Sequence, residues 1–320
     1  MSTVRPKTDA TPLRYCGRVF TEAEIEVIRR ITEDAWQPTR KDIARAVCTA
    51  LDWVKPDGAP KLVSCHVALQ RMEEHGVIWL PLPTREPVRR RRPEPTAASA
   101  PQPPLTGTRA DLKALRLAAV TEQAEARLWN ELLERHHYLG GAPMAGAQSR
   151  YLAYDGERLL GALGFGAAAW RLAARERYIG WTDAERQTHL QLVVQNRRFL
   201  VLPWVSVKGL ASSLLALAAR RLPEDWMQRN AYRPVLLETF VKRPRFTGTA
   251  YAAANWVRVG QTRGRGRNDR HKQGGKSIKD SWLYPLEPRF RTVLTDGRLP
   301  AGPPASRPAD RAPAAGGWRR

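Results

Sequence analysis

Cysteine is scarce, 3 in 320 residues, at Cys16, Cys48 and Cys65. An odd number at wide spacing argues against a disulfide framework and fits a reducing compartment. Cys65-His66 lacks the C-x2-C and H-x3-H pairings that gather four ligands, so no metal site is expected. No run of about 18 apolar residues occurs, nor a basic amphipathic helix rich in Leu and Trp, which sets a membrane aside as partner. The opening stretch MSTVRPKTDA lacks the apolar core of a signal peptide, and a cytoplasmic site of action is expected. Gly274-Gly275-Lys276-Ser277 carries only the tail of a Walker motif, with no glycine upstream at the required spacing, so an ATP motor is not encoded. Acid is also in deficit. Lys+Arg number 53 against 31 Asp+Glu, a formal net charge of +22. That surplus implies a polyanionic partner, held largely through counterion release.

Hydrophobic content of 42% is enough for real cores, and the length suits two domains. Residues 81–109, PLPTREPVRRRRPEPTAASAPQPPLTGTR, hold eight prolines and no apolar periodicity. Proline removes backbone donors and fixes φ, so the stretch reads as a Pro/Arg-rich linker, and Arg89–Arg92 within it are free to touch phosphate. Residues 288–320 are rich in Pro, Ala, Gly and Arg and read as a disordered basic tail. Two folded segments remain, 14–80 and 110–287.

In the first segment, Thr21 and Glu24 form a capping box and Phe20 can staple onto Ile25, opening a helix with Ile25, Ile28 and Ile31 on one face. Thr39 and Asp42 cap a second helix carrying Ile43, Val47 and Leu51. A third, with Val67, Ala68, Arg71 and Met72, ends at Gly76. Val77–Leu80 reads as a short strand. Three helices and a strand outline a winged helix-turn-helix, whose third helix would present His66, Gln70 and Arg71 to a major groove. A protein-docking module is the alternative, because residues 1–104 hold 17 basic against 13 acidic side chains.

In the second segment a helix from Thr121 reaches His136-His137-Tyr138-Leu139-Gly140-Gly141. Strands follow at Tyr151–Tyr154 and Leu159–Gly166 around an Asp155-Gly156 hairpin turn. Phe199–Val205 is a strand feeding a helix through Leu214, Leu215, Ala218 and Leu222. Val235–Val241 is another strand, Thr249–Trp256 a short helix, and Val257–Gly260 a last strand. This is an α/β layout with a mixed sheet and helices on both faces.

The order resembles the fold of the GCN5-related acyltransferases, in which a helix presents its N-terminus to a cofactor pyrophosphate. That family cradles it with Arg/Gln-x-x-Gly-x-Gly/Ala. Trp204-Val205-Ser206-Val207-Lys208-Gly209-Leu210-Ala211 keeps one glycine and small residues but lacks the leading Arg/Gln and the second glycine, so coenzyme A remains possible on a degenerate loop and no cofactor is assigned. A broader resemblance is to the DruA family. It rests on Arg14-Tyr15-Cys16-Gly17-Arg18, His136-His137-Tyr138-Leu139-Gly140, Gly146-Ala147-Gln148, Leu202-Pro203-Trp204-Val205, Leu237-Glu238-Thr239-Phe240-Val241, Ala254-Asn255-Trp256 and Gly260–Arg267. The resemblance implies a part in the Druantia anti-phage defence system, with protein partners, or a role beside mobile elements. It supplies no catalytic residues.

Arg258–Lys279 carries eight basic side chains and one acid, Asp269. Its Gly/Arg alternation, with Arg258, Arg263, Arg265, Arg267, Arg270 and Lys272, lets backbone approach phosphate and guanidinium grip it. A non-selective Arg/Gly loop is the plainer alternative. His136 and His137 are adjacent, so they point apart and do not form a facing ligand pair; one is a candidate base. Glu238, on a predicted buried strand, needs an Arg partner or acts as an acid, base or ligand, and Asn196, Asn255 and Tyr251 are candidates to share its pocket. Other carboxylates of residues 110–287, at Asp183, Glu185, Glu224 and Asp225, fall in helices and loops, which disfavours a two-metal nuclease. Three readings result: a DNA- or RNA-binding component of a defence system, an acyltransferase-like enzyme using Glu238 or a His, and an accessory to transposition.

Overall fold

The computed structural model describes residues 13–33, 39–56, 58–81, 93–141, 144, 146–262, 264 and 277–296. At the N-terminal side β1 (Leu13–Tyr15) and β2 (Arg18–Phe20) form a hairpin. Cys16 and Gly17 make its turn at φ 48° and 83°, the left-handed conformations that tight turns require. Three helices follow, α1 (Glu22–Glu33), α2 (Arg40–Ala50) and α3 (Leu62–Glu74). The capping box closes: Glu24 N donates to Thr21 Oγ1 at 3.2 Å and Thr21 N donates to a Glu24 carboxylate oxygen at 2.9 Å. Asp42 N likewise donates to Thr39 Oγ1. Ile25, Ile28, Ile43, Val47, Cys48, Cys65, Leu69 and Met72 bury together as this unit's own core.

The expected strand at 77–80 does not form. Val77 N donates back to Met72 O, and the segment runs on as irregular chain with Ile78 and Leu80 tucked into the helical core. The hairpin therefore precedes the helices, and the described residues of this unit hold three helices without the strand that the winged outline places after them.

Within the proline-rich stretch, residues 93–109 are also more ordered than expected of a linker. A single 3-10 turn at Ala97–Ser99 is tethered by Thr96, whose N and Oγ1 donate to Glu131 Oε2 at 3.0 and 2.6 Å. β3 (Leu105–Thr108) then takes up a parallel partner far along the chain. Prolines at 101, 103 and 104 deny backbone donors only up to the point where β3 begins.

The larger unit is built on β4 (Leu115–Ala119), α4 (Gln123–His136), β5 (Gln148–Asp155), β6 (Arg158–Ala167), α5 (Ala173–Ile179), α6 (Asp183–His189) and β7 (Val193–Val201). It continues through β8 (Val205–Lys208), α7 (Leu210–Asn230), β9 (Leu236–Lys242), α8 (Thr249–Ala253), β10 (Val257–Gln261), β11 (Lys279–Pro285) and α9 (Phe290–Asp296). Seven strands make one mixed sheet in the order β10-β11-β9-β7-β6-β5-β4, and β3 pairs with β8 apart from it. Within the large sheet the described strands are antiparallel except for β7 and β9. That pair needs a crossover, and the long amphipathic α7 supplies it. α9 corrects the tail reading over Phe290–Asp296, since Phe290, Val293 and Leu294 are buried in a cluster with Ile179, Trp181 and Leu236, and residues 297–320 lie outside the described residues. No helix among the described residues is long and apolar enough to cross a membrane.

Candidate functional site

β10 and β11 face each other with Gln261 opposite Asp280, and the chain joining them, residues 262–278, carries the Arg/Gly run. Arg263, Arg265, Arg267, Arg270 and Lys272 lie outside the described residues. The base of this connection is tied down by hydrogen bonds. Thr262 N donates to Lys279 O at 2.9 Å, and Lys279 N donates to Thr262 Oγ1 at 3.0 Å. Asp280, fully buried, accepts from Arg243 Nε at 2.5 Å, Arg258 Nη2 at 2.8 Å and Gln261 Nε2 at 3.0 Å. Burial works to raise its pKa, but these donors outweigh it and hold the carboxyl down at about 2. Arg258, expected to contact phosphate, is thus committed to Asp280 through one nitrogen while its side chain stays 45% exposed.

The second cluster gathers where the parallel ladder stops. β7 and β9 pair from Val193↔Leu236 to Asn196↔Thr239. Just beyond, β7 bulges: Gly164 opposes Arg198 and Phe165 opposes Asn196, leaving Arg197 as the extra residue. A bulge re-aims side chains. Here Arg197 lies against Gly166 and Arg198 against Gly164, so neighbouring arginines share the side on which Trp129 of α4 also meets Gly164. A side chain at Gly164 would meet Trp129 at 2.8 Å, so only glycine allows this approach. The end of α4 then delivers His137 and Tyr138 to Arg198 and Arg245.

His137 is buried and its Nδ1 accepts from Leu139 N at 3.2 Å. Burial first, then the charges of Arg198 and Arg245, lower its pKa from 6.5 to about 4. The ring is therefore neutral at physiological pH. In the unfolded chain it titrates near its ordinary value, so its contribution to stability is complete above about pH 6.5 and falls away as pH drops toward 4, by at most about 3 kcal/mol. A His137→Gln variant is expected to flatten the acid limb of a stability profile between those pH values, measured by urea unfolding.

His136, by contrast, turns to the proline-rich stretch: Nε2 lies 3.0 Å from Ser99 O and the ring sits edge-on to Trp204. Glu238 is fully buried, accepting from Arg175 Nη1 at 2.8 Å and from Ala169 N at 2.7 Å. Arg175, also fully buried, donates through Nη2 to Glu176 at 2.9 Å and lies over the Trp181 ring. The carboxylate is thus the anchor of α5. Successive strand residues alternate faces, so Thr239 lies on the opposite side of β9 from it. Thr239, Asn196 and Tyr251 do converge: Tyr251 OH donates to Asn196 Oδ1 at 2.7 Å and Thr239 Oγ1 to Asn196 O at 3.1 Å. Asn255 joins neither group. It is exposed, at φ 63°, and turns the chain from α8 into β10. The candidates His136, His137, Glu238 and Asn255 are thus spread over different surroundings. On α3, Arg71 is exposed and Gln70 half-buried.

Sequence reasoning missed Arg175, Arg198, Arg245 and Asp280. Asp280 alone left a trace, an acid closing a basic run before the apolar stretch Ser281–Tyr284.

The C-terminal unit is a mixed seven-stranded α/β sheet. It is similar to YncA, a putative acetyltransferase from Salmonella typhimurium solved with acetyl-CoA (12% identity, 55% of this chain, 96% of that one, TM-score 0.36). It is also similar to an N-acetyltransferase from Staphylococcus aureus Mu50 (9%, 54%, 99%, 0.33) and to the ribosomal-protein-S18-alanine N-acetyltransferase from Escherichia coli (7%, 54%, 94%, 0.33). No curated protein matches the chain. The family model "Druantia protein DruA" matches residues 83–287, and the chain belongs to that family.

Proposed function

We propose that this chain is a nucleic-acid-binding component of an anti-phage defence system, working with partner proteins that act on what it holds. The observation that carries the reading is the segment Arg258–Lys279, eight basic side chains against one acid, strung between two clamped strands. Arginines spaced by glycine at a braced base suit phosphate contact, because the base removes part of the ordering cost of binding. The net charge of +22 supports the same partner. Gln70 and Arg71 on α3 are proposed as a second contact, on the duplex. DruA membership supports the defence setting.

Fluorescence anisotropy of labelled single- and double-stranded DNA across a salt series tests this. A log–log slope of roughly −4 or steeper on duplex is the expected result. No binding to either form at low salt would overturn it.

The second reading, an acyltransferase-like enzyme, is favoured by the entry from β8 through Gly209, at φ 82°, into α7. Against it, β3 already runs along β8, and Arg109 lies beside Gly209. Calorimetry with millimolar acetyl-coenzyme A is expected to register no binding; a saturable isotherm would move this reading ahead.

A further inference from the structure

Phe246 is 43% exposed, an apolar ring left in water in the loop after β9. Its centroid is 5.3 Å from that of Tyr138 at an interplanar angle of 60°. The Arg245 guanidinium lies over both rings, 5.3 Å from Tyr138 and 5.5 Å from Phe246. No carboxylate of the described residues pairs with Arg245 within 4.0 Å, so its charge is held against π faces. Arg198, turned by the bulge, brings a second guanidinium that acts on the same tyrosine.

This loop shares an anchor with the basic connection. Arg243, two residues before Arg245, donates to Asp280, which also holds Arg258 and Gln261 at the root of that connection. Lys242 and Lys279 face each other across β9 and β11 at the same end of the sheet. A protein partner of acidic character would match the charge but not the pairing of exposed aromatic rings with cations. Unpaired bases match both, since every base has a π face and brings a phosphate with it.

We propose that Tyr138 and Phe246, framed by Arg245 and Arg198, are a stacking site for unpaired bases of single-stranded nucleic acid. The inference rests on the nucleic-acid reading above and adds to it a preference for single strands at this ledge. Duplex does not use the ledge, because its bases are already stacked and paired.

The test uses the full chain, with a labelled thymidine oligonucleotide and a labelled duplex in parallel. Phe246→Ala is expected to weaken single-strand binding about tenfold and leave duplex binding within about twofold, with Phe246→Trp restoring it. Phe246 is exposed, so the variant should fold, and its circular dichroism melt checks this. A base-analogue probe, 2-aminopurine, is expected to be quenched on wild-type protein and not on Phe246→Ala. Unchanged single-strand affinity, or an equal loss on duplex, overturns the stacking site while leaving the general reading in place. Wild-type protein that binds neither probe overturns both.

Discussion

Glu238→Leu is expected to destabilise the protein by about 3–5 kcal/mol, because it leaves the Arg175 guanidinium buried without its carboxylate. Both side chains are fully buried and 2.8 Å apart. The Ala169 carbonyl still accepts from the same Nη1 and Glu176 from Nη2, which places the loss toward the lower end of that range. The paired exchange Glu238→Leu with Arg175→Met removes both charges at once and is expected to recover most of the loss. Urea unfolding followed by tryptophan fluorescence reads the cycle. If Glu238 serves only to anchor α5, the double variant will bind nucleic acid like wild type. A double variant that folds but has lost function would return Glu238 to the catalytic candidates.

Neutralising the connection between β10 and β11 has the largest expected effect on binding. Arg263, Arg265, Arg267, Arg270 and Lys272, all exchanged for Gln, should lower duplex affinity by about a hundred- to a thousandfold at physiological salt and flatten the log–log salt slope by about 4. Stability should change little, since the clamp at Asp280 draws on Arg243, Arg258 and Gln261 and on none of the exchanged residues. Anisotropy titrations across salt, beside a thermal melt, separate these effects. Normal affinity in the fivefold variant would remove this segment from the interface. Asp280→Ala differs in kind: it leaves the five cations intact but unroots the strands that carry them, and affinity should fall along with stability.

The elements that were legible in the sequence are those whose signal is local. Thr21 and Glu24 announce α1 because a capping box is made by residues three apart. Asp155-Gly156 announces the β5–β6 hairpin, where Gly156 adopts φ 56°. The first part of α7 as far as Leu222, the apolar run of β9 and the end of α4 at the His136-His137 pair were readable for the same reason, whereas the continuation of α7 through Pro223 to Asn230 was not. β3 was not, because a four-residue strand among prolines forms only when β8, about a hundred positions later, lies beside it. Nor was α9 within a basic tail, since Phe290, Val293 and Leu294 become a helix face only against Trp181 and Leu236.

The site divides along the same line. Composition alone gives the net charge of +22, and the Gly/Arg run says where along the chain much of it is concentrated, because charge adds up without regard to fold. Which charges are free to act is a tertiary matter. Arg258 is spent on Asp280, Glu238 is spent on Arg175 across 63 positions, and His136 and His137, adjacent in the chain, leave α4 for different neighbours. The aromatic and basic ledge exists only because one extra residue in β7 turns Arg198 toward α4 and a loop after β9 lays Arg245 over two rings. Pairing energies depend on distance and burial, and both are properties of contacts between segments that the chain order leaves far apart.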